Sequence, residues 1–133
     1  MASKLTSSFT VSEWDERELS GGPHALRHTA AHYAVSYFGE VSGTSTIDLV
    51  MVYTPGSDVP YTGYEFFEGQ IGQRSGSVVF QHSGVYDRDG ATSQLRVVDG
   101  TATGDLAEAS LRGHWFVPAD GDGTIMIVEG PDG

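Results

Sequence analysis

Apolar and polar residues alternate with a period of two through almost the whole chain. In the run TAAHYAVSYFGEVSG, Tyr33, Val35 and Tyr37 share one side while His32 and Ser36 share the other. Successive side chains of a β-strand point to opposite faces, so this pattern predicts half-buried strands. Gly, Asp, Ser or Pro interrupts the alternation repeatedly, which is typical of antiparallel strands joined by turns. No segment offers a sustained helical period, although GDLAEASLRG could form a turn or two of helix.

The number of predicted strands constrains the architecture. We expect about eight, and antiparallel strands in one small domain must close or split into two sheets because free edges pair with other chains. Long strands joined in sequence favour closure. We therefore predict an all-β, eight-stranded antiparallel up-and-down barrel that forms a single domain over residues 1–133. A barrel of this size encloses side chains or one small ligand.

Charge and composition exclude several functions. Seven basic and eighteen acidic residues give a formal charge of −11, which repels phosphate backbones and anionic membranes, so we expect neither nucleic acid nor membrane as a partner. Without cysteine there is no disulfide framework, thiolate nucleophile or cysteine-based zinc site. The start MASKLTSSFT lacks the apolar core of a signal peptide, and no apolar run approaches the ~20 residues of a membrane span. We expect a cytoplasmic protein.

Two ionisable residues interrupt the apolar side of neighbouring strands. In YTGYEFFEGQI, sending Thr62 and Glu68 to solvent turns Glu65 inward. In SVVFQHSGVYD, exposing Gln81 turns His82 inward by the same alternation. A carboxylate and an imidazole in a largely apolar interior would shift each other's pKa values, as general acids and bases require.

The intervening segment GQIGQRSG predicts a hairpin with its turn at or beside Gln73 and Arg74. A two-residue turn at these residues places Glu65 opposite His82, with Cβ atoms roughly 4.5–5.5 Å apart, and a turn one residue later makes them diagonal neighbours, with Cα atoms about 7–8 Å apart. In either register the two side chains interact. The alternative to catalysis is a buried polar cluster in which they satisfy each other and fix the register of the barrel.

Tyrosines and apolar residues complete the predicted site. Tyrosine hydroxyls in the interior could orient a ligand or donate a hydrogen bond to an oxyanion. Glu13 is a weaker candidate near a strand end, on the face of Phe9. The catalytic candidates are Glu65, His82 and Tyr53, and the substrate-binding candidates are Tyr33, Tyr37, Leu49, Met51, Phe67, Phe80 and Tyr86.

Other motifs favour structural roles. His28 and His32 lie about 13 Å apart along one strand at ~3.3 Å per residue, too far to share a metal ion, and we expect both to point outward. His114 is a reserve candidate because the inward faces of the last three strands are unassigned. ADGDGT lacks the full donor set of a calcium loop, and the charge run EWDERE fits a solvated loop. We therefore predict neither metal nor cofactor.

An apolar patch on the outer face predicts self-association. Val50, Val52, Tyr64 and Phe66 fall outward on neighbouring strands, which is more exposed apolar surface than a soluble monomer usually carries. We expect a homo-oligomer. The alternative is that the long N-terminal loop or the C-terminal tail covers the patch.

Two segments carry a resemblance to a known family. GQRSGSVVFQHSG (residues 72–84) and GTATGDLAEASLRG (residues 100–113) are similar to a bacterial family of small proteins of unknown function with the allene oxide cyclase-like barrel. The resemblance extends over nearly the whole chain. It implies a barrel with a central apolar cavity, a scaffold on which relatives cyclise or isomerise reactive small molecules without a cofactor. No catalytic motif of plant allene oxide cyclase maps onto this chain.

Two functions fit these features. The first is a cofactor-independent isomerase, cyclase or related lyase that encloses a largely apolar substrate, with Glu65 as base or electrostatic stabiliser and His82 as its acid/base partner. The second is a protein that binds an apolar metabolite without converting it. A plain structural barrel filled by its own side chains is the third alternative.

Overall fold

The computed structural model describes residues 3–19, 26–56 and 58–130. Eight strands form a closed antiparallel barrel in which each strand pairs with its neighbours in sequence and the first pairs with the last. This confirms the predicted fold class. The strands are β1 (Ser3–Glu18), β2 (His28–Gly39), β3 (Val41–Val52), β4 (Val59–Ile71), β5 (Arg74–Asp87), β6 (Gly90–Val97), β7 (Leu111–Pro118) and β8 (Gly123–Glu129).

Strand β1 is the longest and has different partners along its length. Residues 3–9 pair with β8, whereas residues 7–18 pair with β2. The second half of β1 therefore has a ladder on one side only, within the part of the chain that the structure describes. The last residues of β7, Val117 and Pro118, likewise pair with β6 and lie beyond its ladder to β8. The barrel wall is thus split between β1 and β7 at one end.

A β-bulge at Ser12 changes which residues of β1 face inward. The register to β2 shifts between Val11 and Glu13, so the alternation reverses beyond this point. Glu13 consequently lies on the outer surface, and its predicted place on the face of Phe9 is wrong. Trp14 takes the inward direction instead and packs edge-on against the Tyr33 ring, with centroids 4.6 Å apart.

The charged residues after the bulge belong to the strand rather than to a loop. Asp15, Glu16, Arg17 and Glu18 pair in register with β2, which corrects the prediction of a solvated loop over EWDERE. Glu16 accepts hydrogen bonds from the hydroxyls of Thr29 and Tyr53. Strand pairing was hidden in the sequence because the bulge breaks the period of two.

Aromatic side chains fill the middle of the barrel. Phe9 stacks on Trp115 with ring centroids 4.9 Å apart, and it meets Tyr37 edge-on at 5.2 Å. Phe67 and Phe80 lie 6.5 Å apart beside them. Buried rings of this size dominate the energetics of a core. The central cavity expected from the family resemblance stays a prediction.

The inward faces of the last three strands are now assigned. Ser93 and Leu95 of β6, Trp115 of β7, and Ile125 and Ile127 of β8 are buried. All five obey the alternation that defines the faces of the earlier strands. The interior therefore receives side chains from every strand.

A 3₁₀-helix and an arginine close the end of the barrel at the β4–β5 turn. The helix Gly104–Glu108 packs against β5 and buries Leu106, as GDLAEASLRG predicted. Arg74 contacts the carboxylate of Glu129 and donates from Nη1 to the carbonyl of Asp105 at 3.1 Å. No helix in residues 3–19, 26–56 or 58–130 is long and apolar enough to cross a membrane.

Candidate functional site

The hairpin between β4 and β5 sets the geometry of the site. Its two turn residues are Gly72 and Gln73, since Ile71 pairs with Arg74. Gly72 has a φ of 64°, which suits the first position of a type II′ turn and which a larger residue adopts only with strain. The turn lies one residue earlier than the Gln73–Arg74 turn considered from the sequence.

This register makes Glu65 and His82 diagonal neighbours, because Glu65 pairs with Phe80 and His82 pairs with Gly63. A Cβ at Gly63 would lie 1.9 Å from the carbonyl oxygen of Asp48, so no larger residue fits at the position that pairs with His82. Nε2 of His82 lies 2.6 Å from Oε1 of Glu65, and both side chains are 0% exposed. The predicted meeting of acid and imidazole inside the barrel is confirmed.

A tyrosine and a tryptophan hold the far side of the carboxylate. The hydroxyl of Tyr37 donates to Oε2 of Glu65 at 2.5 Å. The indole Nε1 of Trp115 donates to the Tyr37 hydroxyl oxygen at 3.2 Å. Both oxygens of Glu65 are thus engaged, as a buried carboxylate requires to offset its lost hydration.

A serine and a second tyrosine continue from the other side of the imidazole. Nδ1 of His82 lies 2.9 Å from Oγ of Ser93, which lies 2.5 Å from the hydroxyl of Tyr61. Strands β2, β4, β5, β6 and β7 contribute to this arrangement. We call it the buried hydrogen-bond chain, and it runs through Trp115, Tyr37, Glu65, His82, Ser93 and Tyr61.

Donor and acceptor roles in the chain depend on the protonation of His82. With a neutral imidazole protonated on Nε2, His82 donates to Glu65 and accepts from Ser93, which in turn accepts from Tyr61. With an imidazolium, Nδ1 donates to Ser93, whose own proton then points to Tyr61. A proton gained by His82 therefore reverses the direction in which the Ser93 and Tyr61 hydroxyls donate. Every polar atom of the pair is satisfied in either state.

The tyrosines of the site are poor acids in this environment. Burial and the adjacent Glu65 carboxylate raise the pKa of Tyr37 well above its ordinary value of 10.0. Burial raises the pKa of Tyr61 to about 12, against a smaller opposing effect of its hydrogen bond to Ser93. Burial and the negative charge of Glu16 raise the pKa of Tyr33. All three are neutral phenols near pH 7.

A recess of about 150 Å³ opens where the barrel wall is split. Tyr61 and Trp115, which are the two ends of the buried hydrogen-bond chain, both line it. Glu65 and His82 do not line it and lie one layer further in. The remaining lining residues are Val11, Trp14, Tyr33, Leu49, Met51, Tyr86, Ala91, Val117, Pro118 and Ala119.

The predicted wall residues divide between the recess and the core. Tyr33, Leu49 and Met51 are buried and line the recess. Phe67 and Phe80 are buried in the aromatic core instead. All five face inward, as the alternation predicts.

Tyr53 lies apart from the acid–imidazole pair, whereas Tyr86 has the predicted inward direction and lines the recess at its edge. The Tyr53 hydroxyl donates to Glu16 and its ring lies 4.0 Å from the guanidinium of Arg27, so it does not join Glu65 and His82. Tyr53 lies just beyond the end of β3, where it is partly buried and packs against the core away from Glu65 and His82. Tyr86 has the inward direction but sits at the end of β5, where it is 41% exposed at the edge of the recess.

The other histidines among the described residues, His28, His32 and His114, belong to the outer surface. His32 points outward, and its Nδ1 lies 2.6 Å from Oδ1 of Asp48 on the neighbouring strand. His28 contacts the carbonyl of Leu26 through Nδ1 at 3.1 Å. His114, the reserve candidate, is exposed and lies on the outer face of β7. None of the three contacts the buried hydrogen-bond chain.

Three members of the buried hydrogen-bond chain were not among the site residues predicted from the sequence. Tyr61 was expected to face inward but not to take part, and Ser93 and Trp115 lie on strands whose faces were unassigned. The alternation of β6, in which Ser93 and Leu95 share a face, was a signal for Ser93. Its contact with His82 depends on the β5–β6 register, which a single sequence does not reveal.

Together, fold and site define a small closed antiparallel β-barrel protein with an internal carboxylate–imidazole pair. The family model described as "Protein of unknown function (DUF3224)" matches residues 5–128 of the chain. The chain therefore belongs to this family, in agreement with the resemblance to a family of unknown function. The link to allene oxide cyclase-like barrels stays a prediction. No curated protein matches the chain.

A solved structure has the same fold. It is a protein of unknown function of the DUF3224 family from Shewanella oneidensis MR-1, 21% identical, with a TM-score of 0.75 and 98% of each chain covered. A likeness at this identity shows the fold alone. Function must therefore be argued from the site.

Proposed function

We propose that the protein is a cofactor-independent enzyme that moves a proton on a small, largely apolar substrate, as in an isomerisation or cyclisation. One observation carries the proposal. Tyr61 lines the recess, and its hydroxyl is connected through Ser93 to His82 and so to Glu65. A base that is itself out of reach of the substrate thereby has a connection to the place where a substrate would sit.

The transfer is a relay through two hydroxyls. As a substrate C–H bond breaks, its proton goes to the Tyr61 oxygen, the Tyr61 proton goes to Ser93, and the Ser93 proton goes to Nδ1 of His82. The C–H electron pair stays on the substrate as an enolate. Glu65 stabilises the imidazolium that forms, and the reverse relay returns the proton to another carbon. The steps need no oxidant, reductant or metal ion.

The recess supplies the other requirements of such a reaction. Tyr33 is a neutral phenol that can donate a hydrogen bond to the enolate oxygen. Leu49 and Met51 exclude water from one wall, which strengthens every electrostatic interaction at the reacting atoms. The role that the sequence suggested for Tyr53 passes to Tyr61, because the Tyr53 hydroxyl contacts Glu16.

A matched pair of serine variants tests the relay. The protein is incubated in D₂O with a metabolite extract of its host, and deuterium uptake into small molecules is followed by mass spectrometry. Ser93→Ala breaks the relay and should reduce uptake by about a hundredfold or more, since a lost proton-transfer step costs about 10²–10⁴. Ser83→Ala, on the exposed face of β5, is the control. Equal uptake by both variants would remove the relay.

Binding without turnover is the second candidate function. It is favoured by the complete burial of Glu65 and His82, whose polar atoms all have partners inside the barrel. In that case the buried hydrogen-bond chain only fixes the register of the barrel, and the recess alone binds the metabolite. An enrichment of one metabolite on the protein, with no deuterium uptake and no change of mass, would support this function over catalysis.

A cytoplasmic location and a homo-oligomeric state remain proposals. The outward direction of Val50, Tyr64 and Phe66 supports the second of these, because all three are exposed on adjoining strands.

A further inference from the structure

We infer that the recess selects an uncharged, flat six-membered ring carrying one oxygen, such as a cyclic enone, and that it holds the oxygen at Tyr33. This inference deepens the proposed function and rests on it. Four properties of the recess carry the argument: its size, its charge, the shape of its walls and the position of its polar atoms.

Size limits the part of a ligand that the recess encloses. Its volume is about 150 Å³. An apolar protein cavity of about 150 Å³ accepts benzene, so one six-membered ring fits and a fused ring system must extend into solvent. The split between β1 and β7 gives such an extension a way out, because Val11 and Trp14 face Val117 and Ala119 across it.

The absence of charge in the walls selects a neutral ligand. None of the described residues that line the recess carries a charged side chain. A carboxylate or ammonium placed here would lose its hydration without gaining a counter-ion, which strongly disfavours its binding. Anions meet a second obstacle, since the negative charge of Glu16 acts on Tyr33 and the whole chain carries a formal charge of −11.

The shape of the walls favours a flat ligand. Trp14 and Tyr33 form an edge-on pair at 4.6 Å, Trp115 lies deeper, and Tyr86 stands at the rim. Aromatic walls gain most from another ring, through stacked or edge-on contacts that add to the effect of the area buried. A flexible chain of the same atom count would lose more conformational entropy on entering.

The polar atoms of the lining belong to tyrosine hydroxyls and the Trp115 indole, whose N–H is already used by Tyr37. With His82 neutral, the Tyr61 hydroxyl donates its one proton to Ser93 and can only accept from a ligand. The donor for a ligand oxygen is therefore the Tyr33 hydroxyl. A ligand with a single oxygen satisfies this position. A ligand with several hydroxyls would leave some of them buried without partners, which weakens its binding.

Four probes of similar size test the inference with the full chain. They are cyclohex-2-enone, the open-chain hex-3-en-2-one with the same number of heavy atoms, benzoate and benzylammonium. The two tryptophans of the sequence, Trp14 and Trp115, both line the recess, so their fluorescence reports occupancy. We expect a Kd on the order of 0.1–1 mM for the cyclic enone and at least tenfold weaker binding of the other three.

A plugged variant locates the binding. Ala119→Phe fills the mouth from an exposed position and should weaken cyclic enone binding at least tenfold, whereas Ala107→Phe, exposed in the 3₁₀-helix, should leave it unchanged. Binding of benzoate, benzylammonium or the open-chain enone as tight as that of the ring, no binding of the ring, or equal binding by both variants would overturn the inference.

Deuterium uptake separates this inference from the proposed function. Cyclic enone bound in the recess in D₂O exchanges its acidic C–H protons faster than in a Ser93→Ala sample if the relay operates. Tight binding without such exchange leaves the ligand class standing and removes the catalytic proposal. Exchange in a charged or open-chain probe, without binding of the cyclic enone, would remove the ligand class and leave the catalytic proposal standing.

Discussion

His82 and Glu65 meet diagonally across the β4–β5 hairpin, with Nε2 and Oε1 2.6 Å apart and neither side chain exposed. Such a pair is costly to bury and costly to break, since each partner is the main compensation for the other's lost hydration. Its effects on stability and on reactivity are therefore separable by experiment.

Replacing the buried carboxylate should destabilise the barrel. In Glu65→Gln the amide can accept from Tyr37 and donate to His82 only if the imidazole changes tautomer, so we expect a loss of about 1–3 kcal/mol. Glu65→Leu leaves both partners without an acceptor and should cost about 3–5 kcal/mol. Urea denaturation measures both.

Glu68→Gln is the matched control for the carboxylate variants, because Glu68 is exposed on the same strand. We expect it to change the free energy of unfolding by no more than about 0.5 kcal/mol. Equal effects at the two glutamates would show that the buried pair adds nothing to stability.

Stability should fall at alkaline pH because of the buried tyrosines. The pKa of Tyr61 is raised to about 12 in the folded state, from 10.0, so the phenol ionises first in the unfolded chain. Its contribution is thus fully present below about pH 10 and is lost as the pH rises toward 12. The loss is about 1.4 kcal/mol per pH unit for each such tyrosine.

Urea midpoints measured across this pH range, with tyrosinate absorbance recorded in parallel, check the alkaline prediction. In Tyr61→Phe the unfolding free energy should fall less steeply with pH, by the contribution of one tyrosine. Tyr37, whose pKa is also raised, should account for part of the fall that remains. A dependence that is identical in wild type and Tyr61→Phe would contradict the assignment.

The glycine beside Tyr61 makes room for its hydroxyl. A Cβ at Gly84 would lie 2.8 Å from the Tyr61 hydroxyl and 2.0 Å from the carbonyl of Thr92. We expect Gly84→Ala to cost at least about 1–3 kcal/mol and to alter the near-ultraviolet circular dichroism, because strand and ring must both move. Gly56→Ala, where the nearest atom lies 3.8 Å away, is the control and should be close to neutral.

The outer surface should mediate self-association through β3 and β4. Phe66 is 52% exposed beside Tyr64 and Val50, and burying this patch in a subunit interface would remove it from water. Sedimentation velocity should show an oligomer that Phe66→Ser dissociates. Phe38→Ser, at a residue 58% exposed on β2, should leave the oligomer intact. A monomeric wild-type protein would rule out this interface.

Much of the barrel could be predicted from the sequence because strand faces repeat with a simple period. The alternation alone directs Glu65 and His82 inward, and it separates Tyr37 from Phe38 on β2 correctly. Closure follows from the number of strands. These features depend only on local order along each strand.

The parts that escaped prediction depend on one-residue shifts and on distant pairings. The bulge at Ser12 reverses which side chains of β1 face inward beyond it, so Trp14 points inward in place of Glu13. The partners that complete the site, Ser93 and Trp115, come from β6 and β7, whose register to the rest is fixed only by tertiary packing. Sequence reasoning therefore found the centre of the site and missed its connection to the recess.

The one-sided pairing of the second half of β1 bears on how large a molecule the protein can accept. Widening the entrance by bending that segment away from Val117 would break none of the ladder bonds between β1 and β8, since these end at Phe9. The second half of β1 can therefore move outward together with its β2 ladder without displacing the aromatic core behind it. If the proposed binding of a ring in the recess holds, the core limits the size of the enclosed ring but not the length of a tail that leaves through the split.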